Sequence, residues 1–100
     1  MFVRLQEQHA EAKTLSRKLI PQCRRALGSN HAMTLNCRAA FAEALYSDAR
    51  ASRADILQAL VLLEDVVRAL RRVLGAHHPD TARALASLEG ARMKREDVAA

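Results

Sequence analysis

Two copies of one short motif stand 47 residues apart in this chain of 100 residues. LGSNHAMT occupies residues 27–34 and LGAHHPDT occupies residues 74–81, with leucine, glycine, histidine and threonine at matching places. The match extends towards the N-terminus, since Ala12 and Ala59 each precede their Leu-Gly pair by 15 residues. An internal repeat of this kind predicts stacked supersecondary units, each of which buries its apolar face against the next.

The spacing of the apolar residues predicts that these units are helical. Half of the residues are apolar but only 3% are aromatic, and alanine, leucine and arginine dominate, which favours helices over strands. Apolar residues recur at steps of three and four. The predicted helices cover residues 3–27, 31–47, 53–74 and 79–94. We therefore predict an all-α, antiparallel helix-turn-helix solenoid that forms a single domain over residues 1–100.

The predicted helix boundaries rest on local chemistry. Gly28 and Gly75 suit the ends of helices, because glycine adopts backbone angles that other residues avoid. Ser52 stands three residues before an aspartate, which predicts a capping box, and Pro79 suits the first turn of the last helix. Pro21 lies inside the first helix and predicts a kink or a short break there.

The motif LG-x-x-H-P-D-T, followed by an apolar helix, resembles the tetratricopeptide repeats of the kinesin light chain type. The resemblance covers roughly residues 7–93. It implies that the four helices are of types B, A, B and A, where A and B are the two helices of each repeat. Ala42 is then the small residue of a helix A. The spacing of 47 residues exceeds the roughly 34 of the basic repeat. The order B, A, B, A contains one complete repeat and two half repeats. The chain is therefore expected to be a fragment or a degenerate short array of repeats. Because about three repeats are needed for stability, we expect apolar surface at the ends, and either self-association or origin in a longer protein.

The resemblance also implies a binding surface, because A helices line the concave face in that family. The implied partner-binding residues are Asn36, Ala39, Glu43, Tyr46, Arg83, Ala86 and Met93. Small residues at Ala39, Ala86 and Gly90 would leave room for a ligand side chain. Asn36 and Arg83 would hydrogen-bond an extended peptide backbone or a carboxylate. The leading hypothesis is therefore a non-catalytic protein–protein interaction module with a protein or peptide partner.

Two other functions stay open. The first is a structural or oligomerisation role, in which exposed ends pair with a second copy as a homo-oligomer. The second is a basic phosphate or nucleic-acid binder, suggested by the net charge of +5 and by Arg68, Arg71 and Arg72. A nucleic-acid partner is disfavoured because aromatic residues for base stacking are scarce.

The sequence does not predict an enzyme, a cofactor or a metal site. It contains no glycine-rich phosphate loop and no nucleophile paired with a base. His77, His78 and Asp80 are too few for a zinc site, and the recurrence of histidine at position 31 indicates that His78 belongs to a turn. Cys23 and Cys37 lack a metal-binding or redox spacing; they are interpreted as reduced, half-buried thiols, with a structural disulfide left open.

No membrane association is predicted. The N-terminal sequence MFVRLQEQHAEAK turns polar at once, unlike a signal peptide. The longest apolar run, ALVLL at residues 59–63, is far shorter than the roughly 20 residues of a membrane span. We therefore expect a cytoplasmic protein.

Overall fold

Four α-helices form the fold. The computed structural model describes residues 2–99, with side chains for residue 8 and residues 10–98, and within this range it contains no strand. The helices are α1 (Phe2–Leu27), α2 (Ala32–Ser47), α3 (Arg53–Leu74) and α4 (Pro79–Ala99). Each helix packs against the next, and α4 also contacts α2. The predicted all-α helical-repeat fold is confirmed. Among these four helices, none is long and apolar enough to cross a bilayer.

Helix α1 continues through Pro21, where the sequence predicted a kink or a break. Proline removes one backbone hydrogen bond and crowds the preceding turn, so an isolated helix would be weakened at this point. Contacts on both sides of the proline hold the helix in place. Ile20 packs against the core, and the Sγ atoms of Cys23 and Cys37 lie 3.9 Å apart across the α1–α2 contact. The structure therefore shows no break between Phe2 and Leu27, because tertiary packing overrides the local preference.

Helix α4 extends to Ala99, past the predicted end at residue 94. Gly90 does not end the helix, since Leu88 and Ala91 on either side of it are buried in the core. The residues beyond include no proline and no further glycine, and most of them favour helices. The helix therefore continues for another full turn.

The core is centred on α3. Its largest fully buried side chains are at most 1% exposed and belong to Ile56, Leu63, Val66 and Leu70. Helices α2 and α4 complete the core from either side, with Leu35 and Ala91 fully buried. Full burial of a Val, Leu or Ile side chain contributes roughly 1.5–3 kcal/mol. In contrast, α1 covers only one side of α2 and leaves Leu15 57% exposed.

The first corner, between α1 and α2, is built by one glycine and two polar side chains. Gly28 has φ +94, and its N–H donates to the carbonyl of Arg24 at 3.0 Å. The buried hydroxyl of Thr34 donates to the Gly28 carbonyl at 2.8 Å. Nδ1 of His31 accepts a hydrogen bond from the backbone N–H of Met33 at 3.1 Å. These bonds satisfy groups that are free at helix ends.

The second corner, between α3 and α4, repeats this arrangement bond for bond. Gly75 has φ +97 and donates to the carbonyl of Arg71 at 3.0 Å, and the hydroxyl of Thr81 donates to the Gly75 carbonyl at 2.8 Å. Nδ1 of His78 accepts from the N–H of Asp80 at 3.0 Å. Every one of these residues follows its counterpart by 47 positions. The sequence repeat is therefore a structural repeat, and the predicted role of His78 in the turn is confirmed.

Candidate functional site

A shallow groove of about 120 Å³ runs between α2 and α4. We call it the α2–α4 groove; it is lined by Asn36, Ala39, Ala40, Glu43, Asp80, Arg83, Ala84 and Ser87. On each helix the lining residues follow the spacing i, i+3, i+4, i+7, which places them on one face. The middle of the lining holds three alanines and Arg83, and polar side chains stand at both ends.

The two helices meet in a register that differs from the sequence repeat. Nδ2 of Asn36 donates to Oδ2 of Asp80 at 3.0 Å, and Oγ of Ser87 donates to Oε2 of Glu43 at 2.9 Å. Both pairs are separated by 44 residues, whereas equivalent residues of the repeat are 47 apart. Helix α4 is therefore staggered against α2 by roughly one helical turn, about 4.5 Å.

Asp80 contacts both Asn36 and Arg83, the two side chains that the sequence predicted to hydrogen-bond a ligand. One carboxylate oxygen accepts from Asn36, and the other lies 3.4 Å from Nη2 of Arg83. The two side chains thus share an intramolecular carboxylate in the chain by itself, and their contact with a ligand stays a prediction. The Arg83 side chain stays 71% exposed and presents its remaining N–H groups to solvent.

Sequence reasoning missed the groove role of Asp80. It assigned the residue to the first turn of α4, where a carboxylate suits the helix dipole. The spacing from Asp80 through Arg83 to Ser87 was the available signal, since it marks one face of the helix.

Tyr46 lies at the end of the groove and fills space that the sequence left for a ligand. A Cβ atom built at Gly90 would lie 2.8 Å from the Tyr46 hydroxyl, so the absent side chain at Gly90 accommodates the phenol. Burial, followed by the nearby Glu43 carboxylate, raises the pKa of Tyr46, and a hydrogen bond with Ser87 opposes the shift. The room predicted at Gly90 is therefore occupied by Tyr46.

Ala86 and Met93 lie beside the groove and not in it. Both are exposed, Met93 by 66%, and they share the outer face of α4 because seven residues make almost two turns. Ala86 was predicted to line the groove, whereas its neighbour Ser87, which was not, faces Glu43. Of the predicted binding residues, the groove brings together Asn36, Ala39, Glu43 and Arg83, with Tyr46 at its end.

Other polar and sulfur groups outside the groove hold the helices together. Nη2 of Arg38 donates to Oδ2 of Asp65 at 2.7 Å, joining α2 to α3, and this bond lowers the pKa of Asp65. Cys23 and Cys37 are free and half-buried, and burial together with the neighbouring thiol raises the pKa of Cys37. Over the described side chains, no three histidine, cysteine or acidic residues cluster as metal ligands would.

Comparison with known proteins gives one match. The model of the tetratricopeptide repeat family matches residues 32–80. No curated protein and no solved structure matches the chain. The matched range contains the whole of α2 and α3 and the corner that leads to α4, which is one helix A, one helix B and the turn to the next repeat. Residues 32–80 are therefore similar to a tetratricopeptide repeat.

Proposed function

We propose that this protein is a non-catalytic protein–protein interaction module that holds a partner segment in the α2–α4 groove. The observation that carries the proposal is the groove itself: α2, which lies in the range similar to a tetratricopeptide repeat, runs beside α4, which begins at the end of that range, and polar side chains and three alanines line the space between them. Repeats of this family generally serve as interaction modules. The alanines would let an extended partner backbone approach the helices closely.

The charges of the groove indicate which partner chemistry it would bind. Arg83 forms an exposed ion pair with Asp80, and most of its side chain faces solvent. Glu43 is exposed and uses one carboxylate oxygen to accept from Ser87. A partner segment with a carboxylate near Arg83 and a basic or N–H donor near Glu43 would complement both.

The resemblance to kinesin light chain repeats supports a peptide-binding role with a different specificity. The positions where that subfamily carries paired asparagines hold Ala39-Ala40 and Ala86-Ser87 in this chain. Alanine offers no hydrogen bond to a peptide, so recognition would rest on shape and on the charged pair. Ala86 and Met93 would extend the surface to a longer partner.

Peptides selected from a random display library on the immobilised chain provide a test. Arg83→Glu should weaken their binding at least about fivefold, since an exposed ion pair contributes up to about 1 kcal/mol and the reversed charge repels. Arg95→Glu is the matched control: it changes the net charge equally on an exposed part of α4 away from the groove. Equal effects of the two substitutions, or no effect of either, would refute the groove as the binding site. Circular dichroism would verify that both variants keep their helices.

A further inference from the structure

Cys23 of α1 and Cys37 of α2 meet across the contact between these two helices. Their Sγ atoms lie 3.9 Å apart, and both thiols are free and half-buried. The S–S bond of a disulfide is about 2.05 Å long, so the two sulfurs would have to approach by about 1.9 Å. A rotation of about 30° at each side chain moves each sulfur by about 0.9 Å. The approach therefore lies within the reach of side-chain rotation.

The internal repeat shows that the cysteine pair stands in place of an apolar one. Cys23 and Cys37 correspond to Leu70 and Ala84, which follow them by 47 positions. Leu70 and Ala84 are 0% and 2% exposed and belong to the core that α3 and α4 share. The first repeat places two half-buried thiols at these positions. The cysteine pair therefore lies where α1 and α2 bury less apolar surface than the equivalent helices do.

Helix α1 is the helix that would gain most from a covalent link. Within the described part of the chain, its backbone comes close only to α2, and Leu15 is left 57% exposed. Pro21, two residues before Cys23, removes one backbone hydrogen bond inside the helix. A disulfide at Cys23 would attach α1 to α2 next to this weak point.

We propose that Cys23 and Cys37 are a redox modification site, at which a reversible disulfide fixes α1 to α2. In the reduced chain, packing alone holds α1. In the oxidised chain, the link closes the loop of residues 23–37, which contains the first corner. Closing such a loop restricts the unfolded chain and thereby favours the folded state. The proposal does not depend on a partner in the α2–α4 groove, so either hypothesis can fail while the other stands.

Exchange with a low-molecular-weight disulfide, such as oxidised glutathione, forms the link. The thiolate of one cysteine attacks a sulfur of the small disulfide, breaks its S–S bond and releases one thiol. The other cysteine loses its proton, attacks the first cysteine's sulfur in this mixed disulfide, and releases the second thiol. The two cysteines together give up two protons and two electrons, which the small disulfide takes up as it becomes two thiols.

The surroundings of Cys37 set the pH dependence of this exchange. Burial, followed by the neighbouring Cys23 thiol, raises the pKa of Cys37. Because the thiolate is the form that attacks a disulfide, formation of the link should be faster at alkaline than at neutral pH.

Equilibration of the intact chain, at low protein concentration, with oxidised and reduced glutathione tests the proposal. After quenching and alkylation, mass spectrometry gives the ratio of the intramolecular disulfide to the dithiol form. Trypsin should release residues 19–24 linked to residues 26–38. The ratio should be at least about tenfold larger for the native chain than for the chain unfolded in urea with the same glutathione mixture, because a fold that favours the disulfide is stabilised by it.

Thermal denaturation gives a second readout. The oxidised chain should unfold about 10 °C above the reduced chain, and dithiothreitol should remove the difference. Cys37→Ala is the matched control, since the second repeat carries alanine at the equivalent position, and glutathione should change its melting temperature little. The proposal is overturned if the native chain forms the disulfide no more readily than the unfolded chain, or if only glutathione adducts and disulfide-linked dimers form. It is also overturned if oxidation does not raise the melting temperature, because the cysteines would then be a packing pair only.

Discussion

His31 and His78 begin α2 and α4 in the same way, each accepting a backbone N–H at Nδ1. Loss of a helix cap typically costs about 1 kcal/mol. We therefore expect His78→Ala to lower the free energy of unfolding by about 0.5–2 kcal/mol, and His78→Asn, which keeps an acceptor, to cost less. Urea denaturation would measure both. The adjacent His77 is exposed, and an equal loss in His77→Ala would contradict the capping role.

Gly90 and Tyr46 are coupled across the groove by close contact. Alanine normally stabilises a helix interior by roughly 0.5–1 kcal/mol relative to glycine. In this chain the new Cβ would lie 2.8 Å from the Tyr46 hydroxyl, so Gly90→Ala should stabilise less or should destabilise. In a Tyr46→Ala background the ordinary gain should return. A double-mutant cycle measures the coupling, and the same effect of Gly90→Ala in both backgrounds would disprove it.

The two prolines of this chain differ in their position within a helix. Pro21 lies inside α1, where proline costs up to about 3 kcal/mol, and Pro79 lies in the first turn of α4, where no hydrogen bond is lost. Pro21→Ala should therefore raise the free energy of unfolding by about 1–3 kcal/mol. Pro79→Ala, its matched control, should leave it unchanged or lower it. Thermal denaturation would decide, and a loss of stability in Pro21→Ala would show that α1 needs the proline.

The hydrogen bond between Arg38 of α2 and Asp65 of α3 should make the free energy of unfolding depend on pH in the acidic range. The hydrogen bond from Arg38 lowers the pKa of Asp65, so the folded state favours the carboxylate. Its contribution is complete above the unfolded pKa of about 3.9 and is lost as the pH falls through the lower folded value. The wild type should therefore lose more stability than Asp65→Asn between about pH 6 and about pH 3.

The size of this pH effect should be modest, because the Asp65 side chain is 54% exposed and solvent screens the pair. Asp97→Asn, at an exposed carboxyl near the end of α4, serves as the control and should follow the wild type. Identical pH profiles of Asp65→Asn and the wild type would contradict the assigned role of Arg38.

Across the molecule, the sequence predicted the features that depend on neighbouring residues, and it did not predict those that depend on how the helices pack. Each corner is formed by a glycine backbone angle and by threonine and histidine side chains within eight residues. Because this short motif occurs twice in the sequence, the sequence predicted both corners. The capping box of Ser52 and Asp55 was equally local, and both of its hydrogen bonds are present.

The details of the groove were not predictable in this way. The role of Asp80 depends on the stagger that makes contacts 44 residues apart in a repeat of 47, and this stagger is a property of how α2 and α4 pack on α3. The same stagger brings Ser87, and not Ala86, to Glu43. Continuation of α1 through Pro21 likewise depends on contacts with α2. The spacing of Asp80, Arg83 and Ser87 marks one face of α4, but the register of that face against α2 is set between the helices and not along either one.

Amide chemical shifts would show whether a partner segment lies between α2 and α4. ¹H–¹⁵N spectra of the wild-type chain would be recorded with increasing amounts of a peptide selected on it. Binding in the groove should cause the largest shifts at Asn36, Glu43, Arg83 and Ser87. Little change is expected around the exposed Val61 of α3. Shifts concentrated on α3 or on α1, with the groove residues unchanged, would contradict the proposed site.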